Sequence, residues 1–331
     1  MTPLYRTLTK YSANSTAMKG VLEKASSSRL QLSNVVPSFD SVLTAELFTT
    51  LTKDLFIVCQ TVPDCERLYD DLVKLLGEEK MTLFAKVEHQ SQIAKALHKN
   101  SVDTQNIGQL LEAIEKISIA EEPMIVIAQA DCLALQLPDP NAFKKQTLTI
   151  RRDEEVGFDL LQDWLKSHWF EHKSFVDSCG DYAVRGGIID VFPFTETVPY
   201  RIEFFGDTIE SIREFDLISQ RSITHREELV LIPNALDSET TATQSSIFDY
   251  LAEDALTIVY EPGQIEKHLE ERHEEKAIAK LHERTQIAYT NFPIEGFEEI
   301  DFGIKRQPNF QANLKLIRAE IENLLSKGIT V

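Results

Sequence analysis

Apolar positions follow two different rhythms along this chain. Up to about Leu137, short all-apolar runs alternate with stretches whose apolar residues recur every three to four positions. That is the signature of helices layered on a parallel sheet. LFIVC (55–59) and MIVIA (124–128) read as buried parallel strands. DCERLYDDLVKLL (64–76) reads as a helix capped by Asp64, with Leu68, Leu72 and Leu75 on one face.

The prolines and asparagine of PDPNA (138–142) predict a turn or linker. Beyond it the rhythm changes. TLTIR (147–151) predicts a strand and DLLQDWLKSHWF (159–170) an amphipathic helix; several short strands follow, with turn signals at Ser178-Cys179-Gly180-Asp181 and Gly206-Asp207. After ELVLIP (228–233) the first rhythm returns, with ALTIVY (255–260) as a strand and one long helix from about Gln264 to Ala288. Apolar positions in that helix are sparse (Leu269, Ala277, Leu281) and its charges mix signs, which predicts a solvated helix. The expected organisation is an α/β domain in two pieces, 1–142 and 223–331, interrupted by a small α+β module built on an antiparallel sheet at 143–222.

Composition narrows the function. With 331 residues, 43% apolar and 26% charged, the chain has the makeup of a folded globular protein long enough for two domains. A net charge of −19 opposes any general grip on nucleic acid, which draws its affinity from Lys and Arg. The stretch from Thr147 to Ser222 is itself acidic, with eight Lys/Arg against fifteen Asp/Glu, so a cationic site there is a local patch. Cys59, Cys65, Cys132 and Cys179 are widely separated and lack metal-ligand spacing, which points to free thiols in a reducing compartment. The amino terminus lacks a continuous apolar segment, and a cytoplasmic protein without membrane contact is expected.

Catalytic signatures are missing. No GxxxxGK[ST] loop occurs. The nearest positional candidate, SNVVPSFDSV (33–42), is expected to precede the first strand and helix; Pro37 removes an amide donor there and Asp40 repels phosphate. DEEV (153–156) imitates a DExx box but follows Arg151 and Arg152, and reads as an acidic helix start. HEEK (273–276) lacks the second histidine of a zincin, and no GxSxG elbow appears. No catalytic, cofactor-binding or metal-binding residue is assigned, and no cofactor is expected.

Alternation makes 182–222 unusual. Residues two apart in a strand share a side. In PYRIEFF, Tyr200, Ile202 and Phe204 form one face, and Arg201, Glu203 and Phe205 the other. Arg185 takes the outer side of the preceding strand, before Gly186-Gly187 permits a bend. Arginine and aromatic residues are enriched in interface hot spots. Spacing leaves a plainer account open: Arg201 pairs with Glu203 or Asp190, and Phe205 packs under the Gly206-Asp207 turn.

Taken as one run, YAVRGGIIDVFP (182–193), PYRIEFFGDTIESIREFD (199–216) and SQRS (219–222) resemble the amino-terminal region of the bacterial transcription-repair coupling factors, the Mfd family, and related segments of the excinuclease subunit UvrB. QPNFQANLKLIRAEIENLLSKGITV (307–331) resembles the family less strongly; the first 140 residues do so in layout, and 78–108 match poorly. The resemblance implies a degenerate P-loop, helicase-like α/β domain of UvrB domain 1 type, interrupted by a small domain of UvrB domain 2 type that binds UvrA. It places the UvrA-contacting residues at Arg185, Arg201 and Phe205. It further implies a monomeric fragment of a longer ATP-driven DNA translocase, whose other parts bind RNA polymerase and DNA and whose carboxy-terminal domain covers the UvrA surface. The expected function is a non-catalytic UvrA-recruiting module in transcription-coupled nucleotide excision repair. The alternatives are a degenerate helicase-like domain that still binds nucleotide or DNA, and a purely structural domain.

Overall fold

The computed structural model describes residues 2, 5, 15–85, 103–233, 245–304 and 314–326; the poorly matching stretch 78–108 therefore falls partly outside the described residues. Helix α1 (Thr16–Lys24) leads to β1 (Leu30–Ser33), α2 (Phe39–Leu51), β2 (Leu55–Cys59), α3 (Val62–Leu76), β3 (Met81–Phe84), α4 (Asp103–Ile119) and β4 (Ile125–Gln129). The chain returns later to the same sheet with β13 (Leu256–Tyr260), α7 (Pro262–Glu270), α8 (Glu275–Arg284), β14 (Thr285–Tyr289) and β15 (Glu298–Asp301). Among the described residues these strands form one seven-stranded sheet, ordered β15-β1-β14-β13-β2-β4-β3, with every pairing parallel.

LFIVC and IVIAQ are adjacent interior strands of this sheet, and their apolar runs suit strands covered on both sides. Alternation divides them between two cores. Leu55, Ile57 and Cys59 join the cluster with Leu68 and Leu72 of α3, whereas Phe56 and Val58 join a second cluster. That second cluster also takes in Ile189, Ile202 and Ile212 from the middle of the chain. The inserted segment thus shares apolar packing with the parallel sheet.

The insertion begins with α5 (Pro140–Gln146), β5 (Leu148–Arg151) and α6 (Phe158–Ser167), followed by β6 (Glu171–His172), β7 (Asp181–Arg185), β8 (Ile188–Val191), β9 (Tyr200–Phe205), β10 (Thr208–Phe215), β11 (Ser222–Arg226) and β12 (Glu228–Leu231). Strands β11-β10-β9-β8-β7-β6 form a second sheet, antiparallel except for the short β6–β7 pair. β12 pairs with β5 in a two-stranded ribbon. Strand pairing in this part therefore runs past residue 222, the boundary expected from sequence.

Several local readings need correction. The cap of α3 is Thr61, whose hydroxyl accepts from the Asp64 amide at 3.3 Å; Pro63 fits the first turn, where no amide partner is needed. PDPNA runs directly into α5, because Asp139 caps it by accepting from the Ala142 amide at 2.9 Å. The long charged helix is two helices, α7 and α8, broken where His273 takes a left-handed φ of 61°. The break lets Ile265, Leu269, Ala277 and Leu281 all bury and frees Thr285–Tyr289 to become a strand. DEEV does not start a helix: Asp153 is left-handed (φ 64°) and its amide bonds the Ile209 carbonyl at 2.8 Å, so the segment docks on β10 and α6 begins after it, at Phe158. Finally, 33–42 joins β1 to α2 rather than preceding the first strand. β1, LQLS, escaped the sequence reading because Gln31 and Ser33 interrupt its apolar run while being buried themselves.

Candidate partner-binding face

Two tight hairpins build the face. β7 and β8 are joined by Gly186-Gly187, with Arg185 opposite Ile188 and Gly186 at φ 59°, the left-handed region that two-residue hairpin turns require. β9 and β10 are joined by Gly206-Asp207, with Phe205 opposite Thr208. In the β8–β9 register Asp190 stands opposite Arg201, and Ile188 opposite Glu203. One side of these strands, including Tyr182, Ile189, Val191, Tyr200, Ile202 and Ile212, is buried in the core. Phe204 sits edge-on to Phe158, with ring centroids 5.2 Å apart.

The other side is organised around a single carboxylate. The Asp190 side chain is 1% exposed. Its Oδ1 accepts from Arg201 Nε at 2.7 Å, and its Oδ2 accepts from Arg201 Nη2 at 2.9 Å and from Arg185 Nη2 at 2.6 Å. Such a fork-on-carboxylate geometry is the strongest form of charged hydrogen bond. The Asp190 bond raises the Arg201 pKa above its ordinary value, against the opposing effect of burial. Arg201 also donates to the Gln220 side chain at 3.3 Å, and its guanidinium lies 4.6 Å from the Phe215 ring centroid. Glu203 is engaged elsewhere, by Ser211 Oγ at 2.8 Å and by Arg213.

Of the plainer account left open by spacing, the pairing of Arg201 holds and the packing of Phe205 under its turn does not. Arg201 pairs with Asp190, not Glu203, and Phe205 is 81% exposed rather than tucked beneath its turn. Arg185 and Arg201 are brought together by Asp190 but differ in access: their side chains are 45% and 17% exposed. Two residues of this face were not singled out by the sequence, although Gln220 lies within SQRS (219–222). Gln220 comes from the β10–β11 connection, and Phe175, in the loop before β7, places its ring 5.1 Å below the Arg185 guanidinium.

The first turn of α2, which follows the loop leaving β1, carries an anion of the protein's own. Asp40, in the first turn of α2, is buried and accepts from Arg67 Nη2 at 2.6 Å, from Tyr260 Oη at 3.2 Å and from the Ser41 amide at 2.7 Å. A helix amino terminus attracts anions, and a carboxylate fills that role here. Burial works against the charge on Arg67, but Asp40 outweighs it and leaves the guanidinium harder to deprotonate than usual. Among the described residues no group of histidine, cysteine or acidic side chains could hold a metal ion, and no helix is long and apolar enough to cross a membrane.

Comparison with known proteins matches residues 148–236 to the UvrB interaction domain. The transcription-repair-coupling factor of Bacillus subtilis is 30% identical over 193 residues, 58% of this chain and 16% of that protein. The factor of Escherichia coli is 25% identical over 211 residues, 63% of this chain and 18% of its own length. UvrABC system protein B of Clostridium botulinum is 26% identical over 209 residues, 62% of this chain and 29% of that protein. The match covers less than a third of the length of each of these relatives. The UvrB-like character implied by residues 182–222 is borne out, and Arg185, Arg201 and Phe205 all lie inside the matched domain.

Proposed function

We propose that this chain is a recruiting module for UvrA in transcription-coupled nucleotide excision repair, and that it does no chemistry of its own. The observation that carries this reading is the shared carboxylate: buried Asp190 holds Arg185 and Arg201 together on the outer side of a sheet that exposes Phe205 at the end of β9, within the UvrB interaction domain. Two guanidiniums against one carboxylate leave a local cationic surplus in an otherwise acidic chain. Held in place before binding, they lose little side-chain entropy when a partner carboxylate or carbonyl arrives. Phe205 supplies a rigid apolar anchor at low entropic cost.

By analogy with the longer coupling-factor relatives, the module belongs to an ATP-driven translocase whose other parts engage RNA polymerase and DNA. Within this chain, the Asp40–Arg67 pair argues against retained nucleotide binding, since a phosphate entering there would meet a buried carboxylate. The test is capture of purified UvrA by the immobilised chain, with the Arg185/Arg201/Phe205 triple alanine variant beside it. Capture by the wild type alone supports the proposal, and equal capture by both, or by neither, overturns it.

A further inference from the structure

Phe175 is the feature of this face that the assigned residues leave unused. Its ring is 62% exposed, although the neighbouring Val176 is buried against Ala183 and Phe192 on the outer side of β7 and β8. Burial of Val176 pins the loop, so Phe175 stands out from an anchored backbone. Its ring carries the Arg185 guanidinium at 5.1 Å, within the range of a cation–π contact. Arg185 lies opposite Ile188, Ile188 lies opposite Glu203, and Phe205 follows two residues later on the same side of β9. The row across this end of the sheet is therefore phenyl, guanidinium, aliphatic side chain and carboxylate, with the second phenyl two residues beyond that carboxylate at the end of β9.

We propose that Phe175 is a second aromatic anchor of the UvrA-binding face, seated with Phe205 on either side of Arg185. This rests on the UvrA reading and extends it by stating what the partner presents: a carboxylate for Arg185, flanked by two apolar depressions that receive the rings. Charge supports that partner. Asp190 is shared between two arginines, Arg185 is the more exposed of them, and Glu203 is already held by Ser211 and Arg213. The uncompensated cation therefore sits beside Phe175.

Calorimetric titration of purified UvrA into the wild-type chain, Phe175→Ala, Phe175→Trp, Arg185→Ala and the Phe175→Ala/Arg185→Ala double variant tests it. Phe175→Ala should weaken binding at least about fivefold with an unchanged unfolding temperature, and Phe175→Trp should bind within about twofold of wild type. In the Arg185→Ala background Phe175→Ala should still weaken binding, because the ring meets UvrA itself. A loss seen only when Arg185 is intact would reduce Phe175 to a support for that arginine and overturn the anchor. If Phe175→Ala binds like wild type while Arg185→Ala does not, this inference fails and the UvrA reading survives. If the wild-type chain shows no binding, both fail.

Discussion

Arg201 and Asp190 stand directly opposite each other across the β8–β9 pair, with Nε and Nη2 of the arginine 2.7 and 2.9 Å from the two oxygens of a carboxylate that is 1% exposed. The same carboxylate carries Arg185 through Oδ2. One buried acid thus decides where two cationic side chains of the outer face lie.

Asp190→Ala leaves Arg201 partly buried without its counter-ion, and breaking such a pair costs about 3–5 kcal/mol when both partners are fully buried. With Arg201 17% exposed, a loss toward the lower end of that range is expected in urea unfolding of the variant. An unchanged midpoint would show that Asp190 is dispensable for the fold.

Arg185 and Arg201 should separate by stability. Arg185→Ala removes the more exposed arginine and leaves the bidentate pair intact, so folding changes by less than ~1 kcal/mol. Arg201→Lys keeps a charge but cannot reproduce the fork, and should destabilise more than Arg185→Ala does. Thermal unfolding of the two variants side by side gives the comparison; the reverse order would contradict the geometry.

Phe205→Ala truncates a ring that is 81% exposed, and stability should move by no more than ~0.5 kcal/mol. UvrA binding should fall by ~2 kcal/mol or more, as for a hot-spot aromatic. Calorimetric affinity that matches wild type would remove Phe205 from the proposed site.

A pH dependence should arise where α4 meets the small sheet. Glu115 lines a cleft there with Glu112, Glu196 and Tyr200, and burial, reinforced by Glu112 and Glu196, raises its pKa from 4.5 to about 6. Its folded form holds the proton more tightly than the unfolded form, so its contribution is most favourable below pH 4.5 and is lost as pH rises toward 6. The shift sets an upper limit of about 2 kcal/mol, reduced by solvent screening of this partly exposed group. Glu115→Gln should therefore raise the unfolding temperature at pH 7.5 and flatten its change between pH 4.5 and 6. Equal pH profiles for variant and wild type would exclude Glu115 as the cause.

The contact of α4 with the inserted segment offers a steric test. A Cβ at Gly108 would lie 2.3 Å from the Phe194 carbonyl oxygen, which is backbone and cannot swing away. Gly108→Ala should destabilise the protein by ~1–3 kcal/mol, as overpacking does. Wild-type stability in a denaturant titration would mean that α4 can shift freely against this segment.

Much of this arrangement was readable from periodicity. The alternation in 199–205 assigned Tyr200, Ile202 and Phe204 to the core and Arg201, Glu203 and Phe205 to the outer side. The apolar runs 55–59 and 124–128 announced buried parallel strands. Those signals are local, since a strand's period of two and a buried strand's apolar content need no knowledge of the neighbours. Only the tertiary structure chose Asp190 over Glu203 as the partner of Arg201, because that choice depends on the register between β8 and β9. It alone showed LQLS as a strand, whose buried polar Gln31 and Ser33 find their place between β14 and β15, and it alone broke the 264–288 helix in two. Phe175 came to lie under Arg185 in the same way: its loop has no period to read, and its position follows from Val176 being drawn into the small cluster on the outer side of the sheet.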